Sequence, residues 1–290
     1  RAMNVPRATL SKILTYSLVD APGNRLVIFL QGCNFDCIAC HNPHTIGECN
    51  HCGDCVPACH ADALSLVDGR IVFNPLTCDQ CDDCLEVCPI NANPMVRDYD
   101  VADILELARR HRPFLTGITV SGGEPTKQLG FVVALFAAIK ADEELAGLDC
   151  FIDSNGHLGA SGWDSLLPVT DGVMLDIKSF DDAAHRELTG KENLKSLRSA
   201  RLVHEAGKLY ELRFLLVPGV TDSDDELDGL VDFVKDLGGD VRVKLNAFQH
   251  HGVRPKALEW EKMSKAGVGK AAARLREAGI PDVVTPAVYL

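Results

Sequence analysis

Hydrophobic and polar positions along the chain alternate between two kinds of segment. Short, nearly continuous apolar runs read as buried strands: Leu26–Leu30, Ile118–Val120, Cys150–Ile152, Gly172–Leu175, Leu212–Val217 and Val241–Leu245. Between them, apolar residues recur at helical spacing. Asp100 is placed as an N-cap ahead of Val101, Ile104, Leu105 and Ala108, and Val132, Leu135, Phe136 and Ile139 share a face further on. Leu227, Leu230, Val231, Val234 and Leu237 form a third helical face, stopped by Gly238-Gly239. Val268, Ala271, Ala272 and Leu275 form a fourth, which stops at Gly279. Six strands separated by helices predict a parallel sheet. Six repeats fall short of a closed eight-stranded barrel, so the expected fold is α/β, an open (βα)6 partial TIM barrel. The stretch Tyr16-Ser17-Leu18-Val19-Asp20-Ala21-Pro22-Gly23 reads as a turn-rich leader to the first strand.

One region, roughly Thr45 to Met95, breaks this alternation. Cys49, Cys52, Cys55 and Cys59 are followed by Cys78, Cys81, Cys84 and Cys88; each run reads C-x2-C-x2-C-x3-C, and each cysteine recurs 29 positions later. This is the bacterial ferredoxin pattern, in which the fourth cysteine of each run ligates the other run's cluster. It assigns Cys49, Cys52, Cys55 and Cys88 to one [4Fe–4S] cube and Cys78, Cys81, Cys84 and Cys59 to a second. A pair of zinc knuckles is the alternative. The second run ends Cys88-Pro89 as the pattern expects, whereas the first ends Cys59-His60. Between the runs, Ala63 to Phe73 reads as a hairpin turning at Asp68-Gly69. Residues 45–95 are thus an inserted ferredoxin-like two-cluster domain, and 1–44 with 96–290 are the barrel.

Directly after the first strand, Cys33, Cys37 and Cys40 stand at C-x3-C-x2-C spacing on a short loop. Three soft thiolates from one loop suit an iron–sulfur cube with one iron left open. Zinc is the alternative, with His41 or His44 as a fourth ligand. In parallel α/β folds, polar residues at the C-terminal ends of strands meet the ligand. Such residues recur here strand after strand: Gly122-Gly123-Glu124, Asp153-Ser154-Asn155-Gly156, Asp176-Ile177-Lys178, and Asn246 to Gly252. The glycines let backbone approach a ligand closely, and the two aspartates can accept hydrogen bonds from an ammonium or a ribose diol. Arg213 leads into an apolar strand and needs a partner there. Cys150, the twelfth cysteine, reads as a core thiol.

The cysteine loop resembles the signature of the radical S-adenosylmethionine (AdoMet) enzymes. Cys40-His41-Asn42-Pro43, the leader around Asp20-Ala21-Pro22-Gly23, and the insert together resemble the activating enzymes of glycyl radical enzymes, most closely the YjjW type. Ala39 stands where the superfamily usually has an aromatic residue beside the adenine, and Ala21 replaces a glycine. The resemblance implies three [4Fe–4S] clusters, with AdoMet bound by its amino and carboxylate groups at the open iron of Cys33, Cys37 and Cys40. It implies contacts to AdoMet from Ala39, His41, Gly122, Gly123, Glu124, Asp153, Ser154, Asp176, Ile177, Lys178 and Arg213. Gln249 or His250 takes the place of a family histidine, and His251 is read as a surface residue. Asp153, Met174 and Asp176 would frame a monovalent cation. The implied reaction is reductive cleavage of AdoMet to a 5′-deoxyadenosyl radical that removes hydrogen from a backbone glycine of a partner enzyme. The implied partners are that enzyme's glycine loop and a flavodoxin or ferredoxin-type electron donor. Two other readings remain: a radical AdoMet enzyme acting directly on a small molecule or peptide, and an electron-transfer protein whose barrel only binds a nucleotide.

Composition narrows the partners. A formal net charge of −12, made more negative by bound clusters, argues against nucleic acid and anionic membrane. The longest wholly apolar run, Phe131 to Ile139, is nine residues, too short to cross a bilayer. With no apolar leader and twelve cysteines that suit metal better than disulfides, the expected location is cytoplasmic. Arg1-Ala2 ahead of Met3 are read as a cloning remnant.

Overall fold

The computed structural model of the chain describes residues 6–287, so Arg1-Ala2 and Met3 lie outside the described residues. Two units form, one from residues up to 34 together with 42–150, the other from residues 35–41 together with 151 onward.

In the first unit the chain runs β1 (Arg7–Ser17), β2 (Arg25–Leu30), β3 (Leu64–Val67), β4 (Arg70–Phe73), α1 (Asp83–Glu86), β5 (Arg97–Asp100), α2 (Val101–His111), β6 (Gly117–Gly122) and α3 (Leu129–Ala141), and it ends inside β7 (Asp149–Ser154). Leu26, Val27, Ile28 and Leu30 of β2 are fully buried, as a strand covered on both faces requires. It pairs in parallel with β6 from Arg25↔Gly117 to Leu30↔Gly122, which brings the cysteine loop and the Gly122-Gly123-Glu124 turn off the same end of two neighbouring strands. The leader Tyr16 to Gly23 turns as expected from Leu18 onward, but it is preceded by a strand, β1, that the apolar pattern did not predict. β1 runs antiparallel to β2 on one side and to β5 on the other, and only the residues after Ser17 turn. The cause is long-range: β1 satisfies the free edge of β2 while burying Ala8 and Leu10. Helix α2 starts as the pattern predicts. Asp100 accepts from the Asp103 N–H at 3.0 Å and Asp103 returns the bond at 2.9 Å, a complete capping box.

The cysteine-rich region closes on itself, Thr45 and Gly47 both bridging to Ala92. Its hairpin forms with Val67↔Arg70 at the tip, around Asp68-Gly69 as expected. Leu64, Cys55 and Cys84 are buried under Val56, Ile71, Phe73, Leu85 and Met95. The 29-residue period reappears in the backbone. Left-handed residues pair off as His51 (φ 60°) with Gln80 (φ 62°), and Asp62 (φ 52°) with Asn91 (φ 51°).

The second unit completes β7 and continues through α4 (Ala160–Leu166), β8 (Gly172–Ile177), α5 (Asp182–Thr189), α6 (Leu194–Glu205), β9 (Leu209–Leu216), α7 (Asp224–Asp236), β10 (Val243–Ala247), α8 (Lys265–Glu277) and β11 (Val283–Val284). Its strands are parallel and lie in chain order from β7 to β11. Val173, Met174, Leu175, Leu212, Phe214, Val243 and Leu245 form a fully buried centre. The strands are joined by helices, which gives the α/β class expected from the sequence. Among the described residues no helix is long and apolar enough to cross a membrane.

Candidate functional site

In the first unit, Gln31 sets the base of the cysteine loop. Its side-chain N–H groups donate to the carbonyls of His44 (2.8 Å) and Gly47 (2.6 Å), while Gly32 and Cys33 donate backbone N–H to Thr45 and Ile46. The Gly122-Gly123-Glu124 turn packs backbone against backbone. Gly122 adopts φ 131°, and a Cβ there would lie 2.2 Å from the Leu30 carbonyl oxygen; one on Gly123 would lie 2.3 Å from Gly32 O and 2.5 Å from Thr45 O. These neighbours are main chain and cannot swing aside. Gly123→Ala is therefore expected to cost about 1–3 kcal/mol of stability, since overpacking displaces the turn; urea denaturation checks it. Glu124 is fully buried, and its Oε1 accepts from Thr126 N–H (3.0 Å) and Oγ1 (2.6 Å). The carboxylate thus caps the helical turn that follows.

Residues 45–95 bring one set of thiols together in the crossed sense. Cys49, Cys52, Cys55 and Cys88 line one small cavity with Ile71 and Pro89. Burial pushes the Cys55 thiol up, and Cys49, Cys52 and Cys88 add to the effect. Cys84 is pushed up to about 12 by burial, with Cys55, Cys59 and Cys78 adding to it. Backbone donors already point at sulfur: Ala63 N–H to Cys59 (3.2 Å), Ala92 N–H to Cys88 (3.3 Å), and His51 N–H to Cys49 (3.4 Å). Crowded thiols served by N–H donors fit a cluster, whose iron offsets the thiolate charge and whose sulfur atoms accept such bonds. His60, in place of a proline, sits 2.6 Å from Asp79 and 3.4 Å from Asp83, which raise its pKa.

In the second unit, parallel register gathers charge at the strand ends. Asp153 on β7 is opposite Met174 on β8, and Asp176 on β8 is opposite Arg213 on β9. Arg213 donates to Asp153 (3.0 Å), approaches Met174 Sδ (2.8 Å) and donates Nε–H to Glu211 (2.8 Å). Burial works against its charge, but Asp153, Asp176 and Glu211 outweigh this and hold the guanidinium more firmly protonated than usual. Lys178 lies 2.8 Å from Asp176. Burial again opposes the charge; Asp176, then Cys37 and Cys40, raise the ammonium above the ordinary lysine range. Ser154 and Ile177 are buried, and the Ser154 hydroxyl accepts from Gly156 N–H (3.0 Å) to tighten the turn after β7. From α6, Ser196 and Ser199 donate to the carbonyls of Asn155 and Gly156, both at 2.6 Å.

The residues after β10 face elsewhere. Gln249 donates to the Met263 carbonyl (3.1 Å), and His250 Nε2 donates to the Trp260 carbonyl (2.7 Å). His41 instead donates Nε2–H to the Gln249 carbonyl (3.1 Å), and its pKa is lowered, first by burial. Ala39 is half-buried in the loop, and Cys150 is fully buried in β7 as expected of a core thiol. Two residues escape a local reading. Glu211, 3% exposed, holds Arg213 on one oxygen and Arg242 (3.1 Å) on the other. Arg254 binds the cysteine loop from 218 positions away. Neither has a spacing signal.

A family model described as the Radical SAM superfamily matches residues 27–234. The pyruvate formate-lyase-activating enzyme of Streptococcus mutans is 31% identical over 228 residues, covering 77% of this chain and 70% of that one. The choline trimethylamine-lyase activating enzyme of Oleidesulfovibrio alaskensis is 31% identical over 277 residues, 88% of each chain. The trans-4-hydroxy-L-proline dehydratase activating enzyme of Clostridioides difficile is 30% identical over 239 residues, covering 76% and 78%. Among solved structures, QueE from Escherichia coli has the same fold, with a TM-score of 0.54 at 14% identity over 97% of this chain and 94% of that one. The chain therefore belongs to the radical SAM superfamily and, within it, to the activating enzymes of glycyl radical enzymes.

Proposed function

We propose that the chain installs a glycyl radical in a partner enzyme, using AdoMet bound at the open iron of a [4Fe–4S] cluster held by Cys33, Cys37 and Cys40. When bound, cluster and AdoMet supply the chemistry: one electron cleaves AdoMet to methionine and a 5′-deoxyadenosyl radical, which takes hydrogen from the partner's glycine. The protein's own task is to orient and to exclude water. Gly122 and Gly123 offer main-chain groups to the methionine amino group. Lys178 and Arg213, both held charged, suit its carboxylate, and Asp153 and Asp176 suit an ammonium or ribose hydroxyls. The gathering of Asp153, Asp176 and Lys178 at the ends of parallel strands, with Arg213 reaching them from within β9, is the observation that carries the reading. Ser154, Ile177, Ala39 and His41 complete the expected contacts. Gln249 and His250 would have to leave their present carbonyl partners to reach AdoMet. A monovalent cation at Asp153, Met174 and Asp176 would likewise require Arg213 to move off Met174.

The crossed cavity of Cys49, Cys52, Cys55 and Cys88 supports two further [4Fe–4S] clusters in residues 45–95, the second on Cys78, Cys81, Cys84 and Cys59. This carries with it the open (βα)6 barrel with a ferredoxin-like insertion. The insert clusters pass electrons inward from a flavodoxin or ferredoxin-type donor, or help dock the partner. Replacing Cys49 and Cys78 by alanine is expected to slow activation while AdoMet binding persists; unchanged activation kinetics would remove this role. The decisive experiment reduces the anaerobically reconstituted protein with dithionite and AdoMet, alone and with candidate glycyl radical proteins. Release of 5′-deoxyadenosine together with a glycyl doublet in electron paramagnetic resonance (EPR) supports the proposal. Release without a doublet from any candidate would favour a small molecule or peptide as substrate.

A further inference from the structure

We infer that Arg254 is a positioning residue that fastens the cysteine loop, with Gly252 and Gln249 closing the same strap at the loop's other end. The inference rests on the reading of Cys37 and Cys40 as cluster ligands. Residues 35–41 form neither strand nor helix; their internal backbone bond is Cys40 N–H to Cys37 O at 3.3 Å. Such a loop keeps its shape only through outside partners. On the donor side, Asp36 and Ile38 give their N–H groups to the carbonyls of Thr189 and Leu188, both at 2.9 Å, at the end of α5.

The acceptor side belongs to Arg254. One terminal nitrogen donates to the carbonyls of both Asp36 (2.9 Å) and Cys37 (2.7 Å), and the other donates to the Asp36 carboxylate (2.7 Å). The Arg254 side chain is 19% exposed, whereas Asp36 is 70% exposed; the bond to the Cys37 carbonyl is the sheltered one, and both bonds to Asp36 are exposed. A planar guanidinium can bridge successive carbonyls while holding a carboxylate; a lysine ammonium on its flexible stem cannot reproduce that fork. At the other end, His41 donates to the Gln249 carbonyl, and Gly252 adopts φ 71° with its missing Cβ only 2.6 Å from the His41 carbonyl oxygen. Residues 249–254 therefore hold the loop just before Cys37 and just after Cys40. The cation at the Cys37 carbonyl also favours the added electron when the cluster is reduced.

The test uses the anaerobic holoprotein and Arg254→Gln, Arg254→Lys and Asp36→Asn. Three quantities are read: hydrogen exchange of the peptide containing residues 36–41, lifetime of the AdoMet-responsive EPR signal under chelator, and midpoint potential of that signal. Arg254→Gln is expected to speed loop exchange and shorten the signal lifetime by about 10-fold or more, the usual scale for groups that support ligands, and to lower the potential. Arg254→Lys should keep the potential near native while leaving the loop as loose as in Arg254→Gln. Asp36→Asn should stay within about twofold of native, since the main-chain bonds remain. Native loop exchange or native potential in Arg254→Gln overturns the inference. So does Arg254→Lys restoring loop and lifetime together, because charge alone would then suffice. A native protein with no AdoMet-responsive signal would sink the cluster reading, while loop exchange would still decide for or against the strap.

Discussion

Replacing Cys37 by alanine is expected to abolish release of 5′-deoxyadenosine from AdoMet, a loss of more than about 100-fold. Groups that merely support metal ligands cost about 10–100-fold when removed, and a three-thiol loop has no ligand to spare. On the proposed reading the hard chemistry belongs to the cofactor, so no acid or base of the protein makes up for the lost thiol. The matched control is Cys150→Ala: this thiol is fully buried within β7, and its loss should cost stability while leaving cleavage per folded molecule unchanged. The measurement is product release after reconstitution and dithionite reduction. Substantial release from Cys37→Ala would exclude this loop as the seat of the reaction.

The second large effect lies in stability. Arg25 is completely buried at the start of β2, with its guanidinium donating to the carbonyls of Ile118 (2.9 Å) and Asp149 (3.0 Å) and to Thr119 Oγ1 (3.2 Å). The Asp149 carboxylate stands 3.8 Å away. Gly117 makes room, since a Cβ there would fall 2.1 Å from the guanidinium. Arg25→Ala takes the donor away from the carbonyls of Ile118, Asp149 and Pro22 and from Thr119 Oγ1 and opens a void, so about 3–5 kcal/mol of unfolding free energy should disappear. Arg25→Lys should recover part of it, because one ammonium cannot reach all the acceptors. Urea denaturation of the reconstituted protein checks both. A midpoint unchanged in Arg25→Ala would mean water already serves those carbonyls. The cysteine loop leaves the opposite end of β2, so surviving folded protein should keep the proposed AdoMet binding.

Legibility in the sequence followed the range of the interactions. The strand from Leu26 to Leu30, the Asp100 cap and the Asp68-Gly69 hairpin are local and carry their own patterns. The 29-residue period was visible because cysteine spacing is chemistry written in one dimension. β1 was not, since its residues are half-polar and become a strand only by pairing with β2 and β5. β5, Arg97–Asp100, has no apolar run at all; its backbone pairs with Arg7 to Leu10. In the candidate site, Asp153, Asp176 and Lys178 were legible as strand-end residues; Arg213 was expected at the start of its strand, but pairing extends β9 back to Leu209 and places it mid-strand. Their supports were not legible. Glu211 looks like any acidic residue entering a strand until Arg213 and Arg242 are seen on its two oxygens. Arg254 and Asp36 meet across almost the whole length of the chain.

The crossing of thiols in the insert bears on biogenesis. Cys88 completes the wall around Cys49, Cys52 and Cys55, so the earlier half of the repeat waits on the last cysteine of the later one. A nascent chain paused before residue 88 presents an unfinished receptacle, and iron delivered then would find three thiols and an open flank. On the proposed two-cluster reading, loading of this region waits until the second half of the repeat has been made, so the two halves are filled together.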